Sequence, residues 1–202
     1  MNSNIRRVRT LNKCSRLGES RSLGKVVMVP EVLQALRDFA ASKIGGVVIG
    51  GLSIGVHARP RTTMDVDVLF LCLPVDIRSK VLDKFKMRRD HALTHKATGV
   101  EVEVLDARFL NLPDQLVNMV IDTAHHDPIG LLVASVEGII ALKLQRGTPQ
   151  DRADIFALIS AQGVRDMSEW PLKGQQMDDY RRIVNEFRDP SSVRNFAESL
   201  NN

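Results

Sequence analysis

Two cysteines in 202 residues, Cys14 and Cys72, are too few for a disulfide framework and lack metal-ligand spacing, so the pattern points to a reducing, cytoplasmic setting. Histidine offers no metal motif either. Five are present without ligand spacing, and the adjacent His125 and His126 would point apart on a helix or a strand, so all five read as surface residues. Long apolar runs are missing as well: the best candidate, residues 129–144, is interrupted by Glu137 and Lys143, which argues against a membrane span. No internal repeat is visible.

What is present describes a soluble globular protein, with 44% hydrophobic and 26% charged residues. A chain of 202 residues is long enough to bury a core and forms one domain, or one domain with a helical appendage. The net charge of +4 is unevenly placed. Residues 1–25 carry seven basic groups against Glu19, a local charge of +6, which leaves −2 for the other 177 residues. Residues 1–27 therefore read as a basic, disordered arm, with an organellar transit peptide, an upstream extension and a nucleic-acid-binding arm as competing readings.

The most informative stretch is residues 45–71, GGVVIGGLSIGVHARPRTTMDVDVLFL, which reads as strand, turn, short helix, strand. In Asp65-Val66-Asp67-Val68 the side chains alternate between faces, so two carboxylates share one side while the valines enter a core. Like charges held together on an apolar strand call for a cation between them, and Mg²⁺ commonly takes one or two carboxylates plus substrate phosphates. Upstream, the Gly50-Gly51 turn lets backbone N–H groups approach a ligand, and a helix starting there points its positive end at an anion. Either half alone is also compatible with an amphipathic strand having a solvated acidic edge, after an ordinary glycine turn.

Together, Gly50-Gly51-Leu52-Ser53 and Arg61-Thr62-Thr63-Met64-Asp65-Val66-Asp67 resemble the nucleotidyltransferase superfamily signature. The Arg-x-Thr-x-Asp-x-Asp form is similar to minimal bacterial nucleotidyltransferases, including AbiE-system toxins and related uncharacterised families. The resemblance spans most of residues 30–160 and implies metal-dependent transfer of an NMP from an NTP such as ATP to an acceptor hydroxyl. It implies two Mg²⁺ ions on Asp65, Asp67 and a third carboxylate, and nucleotide contacts from Gly50, Gly51, Ser53, Arg61 and Thr63. The third carboxylate comes from a neighbouring strand, and Val100-Glu101-Val102-Glu103-Val104 repeats the acidic alternation. Glu103 is preferred and Glu101 is a close second. Acids on the outer face of an edge strand, guarding against aggregation, are the plainer reading of that segment. By the same resemblance Lys143 reaches the phosphates, with Asp151 and Asp154 positioning neighbouring groups. Read structurally instead, Asp151 caps a helix and Lys143 lies on its wet face.

Around these motifs the pattern predicts helices over residues 30–42, 76–89, 114–125 and 135–145, the last with Ser135 as N-cap and Gly147 as terminator. Thr148-Pro149-Gln150-Asp151 opens another with a capping box. Residues 91–96 and 100–105 form a hairpin, and amphipathic stretches at 178–187 and 191–200 add short C-terminal helices. The expected architecture is α/β (α+β): a mixed, twisted sheet of about four to five strands flanked by helices, with a nucleotidyltransferase-like domain over 28–162 and packed helices over 163–202. The resemblance leaves the acceptor open among tRNA or other RNA, a protein and a small molecule, and it brings a toxin–antitoxin or abortive-infection setting with an antitoxin partner. A catalytically inactive nucleotide- or RNA-binding domain of the same fold is the alternative.

Overall fold

The computed structural model describes residues 21–23, 26–28, 30–58, 65–88 and 92–189, the first two segments and Asp65 as backbone only. Seven strands form one mixed sheet, and seven helices are described. The strands are β3 (Val47–Ile49), β4 (Asp65–Phe70), β5 (Phe85–Met87), β6 (Ala92–His95), β7 (Glu101–Asp106), β8 (His125–His126) and β9 (Leu132–Val133), in the order β5-β6-β7-β4-β3-β9-β8. At its centre β4 runs parallel to β7 and antiparallel to β3. A separate hairpin of β1 (Arg21–Leu23) and β2 (Val26–Met28) overlaps the end of the stretch, residues 1–27, expected to be a disordered arm. The rest of that arm, residues 1–20, and the helix expected at 191–200 lie outside the described residues.

Period-two alternation in the central strands divides the core into two layers. Val48, Val66, Val68, Val102 and Val104 face α1 (Pro30–Ala41), whose Val32, Leu33, Leu36 and Phe39 cover that side. The opposite face, marked by Val47 and Leu69, is covered by α4 (Asp114–Asp122), α5 (Val136–Arg146), α6 (Pro149–Gln162) and α7 (Gly174–Arg188). A cap contributes about 1 kcal/mol, whereas a buried aliphatic side chain contributes about 1.5–3 kcal/mol. With five buried side chains, α1 exists because it packs. No described helix is long and apolar enough to cross a membrane.

The turn between α5 and α6 assembles a compact cluster of charges beside the sheet. Ser135 accepts from the Gly138 N–H and starts α5, and Gly147 ends it in the left-handed region at φ 64°. Thr148 then caps α6 reciprocally with Asp151, and Pro149 occupies the first turn. The reversal is so short that Lys143, Arg146, Asp151 and Asp154 are brought together.

Three expectations are corrected. The helix expected over 76–89 stops early: α3 covers Ile77–Val81 only, and Phe85–Met87 leaves as β5 to pair with β6, burying Phe85 completely. The helix expected to reach residue 125 ends at Asp122, and His125–His126 forms a short strand against β9. His95 is not a surface residue. It is buried between Asp38, 2.9 Å from Nε2, and Thr98, 2.8 Å from Nδ1, with its ring against Phe85.

Candidate active site

The parallel register of β4 and β7 pairs Asp67 with Glu103 and Asp65 with Glu101. Adjacent strands lie about 4.8 Å apart, so register partners on one face are neighbours. Asp67 and Glu103 therefore continue the face that carries Leu69 and Leu105 deeper in the sheet, on the side of α5 and α6. The sequence alternation supplies the acids, and the parallel pairing brings the two strands' acids together.

Gly50 fits this geometry tightly. It opens α2 (Gly50–His57) at φ 69°, and a Cβ there would lie 1.8 Å from Asp67 Oδ2, so glycine is required both for the backbone and for the space. No side chain caps the start of α2, whose first residue, Gly50, lies against Asp67. Ser53, expected on the phosphates, is fully buried and donates its hydroxyl to the Gly50 carbonyl at 2.9 Å, bracing the turn from behind. Gly51 follows Gly50 in the first turn. Arg61 and Thr63 lie outside the described residues, as does the Asp65 side chain.

Glu101 and Glu103 differ in surroundings. Glu101 accepts from Arg88 Nη1 at 2.8 Å, away from the pocket. Glu103 is exposed and lines a pocket of about 320 Å³ together with Gly50, Asp67, Lys143 and Arg146. Gln145 and six aliphatic side chains, Leu105, Leu110, Leu112 and Leu142 among them, make up the rest, so the lining combines a few charged groups with an apolar majority. The loop carrying Leu110 and Leu112 is anchored by Asp106, which accepts from the Leu73 N–H at 3.0 Å and from Arg108 Nε and Nη2. Arg108 holds the Asp106 carboxyl well below the usual carboxylate range, against the opposing effect of burial.

Facing the acids, Lys143 is buried rather than wet. Its ammonium donates to Asp151 Oδ1 at 3.1 Å and to Asp154 Oδ2 at 2.7 Å. Asp151 caps α6, as the structural reading expected, and also accepts from Arg146 at Nε and Nη2. Burial works against its ionisation, but hydrogen bonds from Arg146, Thr148 and Lys143 prevail and keep its carboxyl well below the usual range. Arg146 was missed by sequence reasoning. Its side chain is 68% exposed at the pocket, and Asp67 is among the charges that raise its pKa after the Asp151 hydrogen bonds. The signal was its position three residues after Lys143, on the same face of a helix.

Among the described residues no three His, Cys, Asp or Glu side chains gather as a metal centre. The donors that do approach one another, Asp67 and Glu103, with Asp65 two positions earlier on β4, are all carboxylates. That hard-oxygen set fits Mg²⁺ and is unsuited to zinc or copper.

A mixed α/β domain with acids paired across β4 and β7 before a glycine-initiated helix has the nucleotidyltransferase-like fold. The chain belongs to the family described as nucleotidyltransferase of unknown function (DUF6036), whose model matches residues 25–200. The crystal structure of an antigenic nucleotidyltransferase-like protein from Paracoccidioides brasiliensis aligns with a TM-score of 0.54, covering 80% of this chain and 89% of that chain at 20% identity. At that identity the likeness is one of fold. No curated protein matches the chain.

Proposed function

We propose that this protein moves an NMP from an NTP to an acceptor hydroxyl, with reaction at the carboxylates that line the pocket. The observation that carries the reading is the register pairing of Asp67 with Glu103 beside the Gly50 turn. Asp65, Asp67 and Glu103 would hold Mg²⁺, two ions in this reading, whose chemistry when bound is to neutralise phosphate charge and activate the attacking oxygen. The first-turn N–H groups of α2 orient the phosphates. The acceptor oxygen attacks the α-phosphorus, the bond to the bridging oxygen breaks, and pyrophosphate leaves. Glu103 receives the hydroxyl proton, a role suited to a carboxylate that makes no hydrogen bond or ion pair among the described residues. The apolar lining, Leu105, Leu110, Leu112, Ile139 and Leu142, limits water in the pocket.

The likeness of residues 61–67 to AbiE-system toxins supports a toxin–antitoxin setting with RNA, above all tRNA, as the first acceptor to examine. Incubating the protein with each labelled NTP, Mg²⁺ and cell extract tests the reading. Label should enter one fraction, RNA, protein or small molecule, with the parent protein and not with Asp67→Asn. Equal labelling by both proteins, or none by either, refutes nucleotidyl transfer at this site.

A further inference from the structure

We propose that Arg146, rather than Lys143, is the helix-borne cation that grips the phosphate chain of the nucleotide, a proposal that rests on the nucleotidyl-transfer reading for its ligand. The family resemblance points to Lys143, but the local electrostatics do not favour it. Lys143 is 7% exposed, and its ammonium lies about 3 Å from two carboxylates. Lysine with Asp151 and Asp154 carries a combined charge of −1, which repels a polyanion. Drawing Lys143 out toward a ligand would also break a buried ion pair with each of two carboxylates, a costly step.

Arg146 has the opposite disposition. It is the outermost member of the cluster, and it restores the cluster's charge to zero while placing its positive end toward the pocket. Asp151 engages one edge of the guanidinium through Nε at 3.1 Å and Nη2 at 2.6 Å. A guanidinium has five N–H donors in a rigid plane, so the Nη1 edge stays available while the Asp151 pair remains intact. The side chain is thus oriented in advance and need break no ion pair to meet a ligand. Asp67, Glu103 and the start of α2 line the same pocket, and Asp67 is close enough for its charge to act on Arg146. A phosphate chain laid between the acids' side and Arg146 would find positive charge on its far flank. Lys143 then acts as a pin that joins α5 to α6 and, through Asp151, fixes where Arg146 points.

Calorimetric titration of the full-length protein with inorganic tripolyphosphate, AMP and ATP, all in Mg²⁺, tests this for the parent, Arg146→Gln, Arg146→Lys and Lys143→Gln, with a thermal melt of each. A charged hydrogen bond of this kind corresponds to about tenfold or more in affinity. Arg146→Gln should weaken tripolyphosphate and ATP by that factor and AMP much less, with Arg146→Lys in between, because charge survives and the fork does not. Lys143→Gln should chiefly lower the melting temperature. Tripolyphosphate binding by Arg146→Gln as tight as the parent's overturns the proposal, whether or not the lysine variant folds. So does an equal loss for AMP and tripolyphosphate. Arg146-dependent binding of tripolyphosphate alongside absent nucleotidyl transfer would sustain the phosphate grip and sink the catalytic reading, so the two fail separately.

Discussion

Two pairs of carboxylates belong to the neighbourhood of one pocket, Asp67 and Glu103 in its lining and Asp151 and Asp154 buried behind the lining residues Lys143 and Arg146, and the fold treats them differently. Asp151 and Asp154 are buried, and Asp151 accepts five hydrogen bonds from Lys143, Arg146 and Thr148. Asp67 and Glu103 are paired by strand register at the open end, where Glu103 is exposed. The first pair is saturated by the chain itself and ties two helices together. The second has its neighbours on the sheet and its opening toward the ligand. The contrast is one of exposure: one acid pair is buried against its own cations, and the other lines the pocket.

The sharpest way to break this comparison is to neutralise the open pair. Asp67→Asn and Asp65→Asn should each reduce transfer by orders of magnitude, measured as label incorporated per NTP, while the melting temperature stays near that of the parent. If instead they melt early and retain transfer, the open acids are the structural ones. Next in size, Gly50→Ala forces a Cβ into Asp67 Oδ2 at a positive φ, displacing the carboxylate. A misplacement of about 1 Å at a reacting group lowers rate by about a hundredfold, and kcat from steady-state assays should show it. Transfer at the parent's rate would mean that the Asp67 position is not demanding.

A third measurement separates the glutamates. Glu103→Gln should lose most transfer activity, and Glu101→Gln, whose carboxylate is paired with Arg88, should keep most of it. The reverse would move the third carboxylate two residues along β7 and leave the reaction standing.

The saturated pair predicts stability effects instead. Asp151→Asn leaves Lys143 and Arg146 short of their shared anion and should destabilise by about 3 kcal/mol, a Tm loss of about 6–12 °C for a domain of this size. The folded carboxyl titrates below its ordinary value of 3.8, so this contribution is complete above that pH and fades as pH falls further toward the folded pKa. Unfolding curves of parent and variant should therefore differ at neutral pH and converge in strong acid. A gap that widens on acidification would mean that Asp151 is not stabilised as an anion.

Local signals were legible wherever one stretch of chain decides its own conformation. The capping box at Thr148, the N-cap at Ser135, the terminator at Gly147 and the alternation of residues 65–70 and 100–105 all formed as read. Phe85 shows where such reading stops. Ile77, Val81 and Phe85 recur at helical spacing, but Phe85-Lys86-Met87 equally satisfies a strand, and the free edge of β6 took it. The two-residue strands β8 and β9 carry too little pattern to be seen at all, and so the sheet came out wider than expected. His95 became buried because Asp38, 57 residues away, supplied a partner for its ring.

By itself the sequence determined which residues could do chemistry: acids at alternate positions, glycines where a side chain cannot fit, and a lysine and an arginine three apart on a helix. These are properties of near neighbours, written in periodicity and in the absence of a Cβ. Which acids would face the pocket was decided by the parallel register of β4 and β7, and which cation would be buried was decided by the reversal between α5 and α6. Register and reversal join residues far apart in the chain to surfaces that exist only after packing, and burial then settles whether a charge is held by its own chain or offered to a ligand.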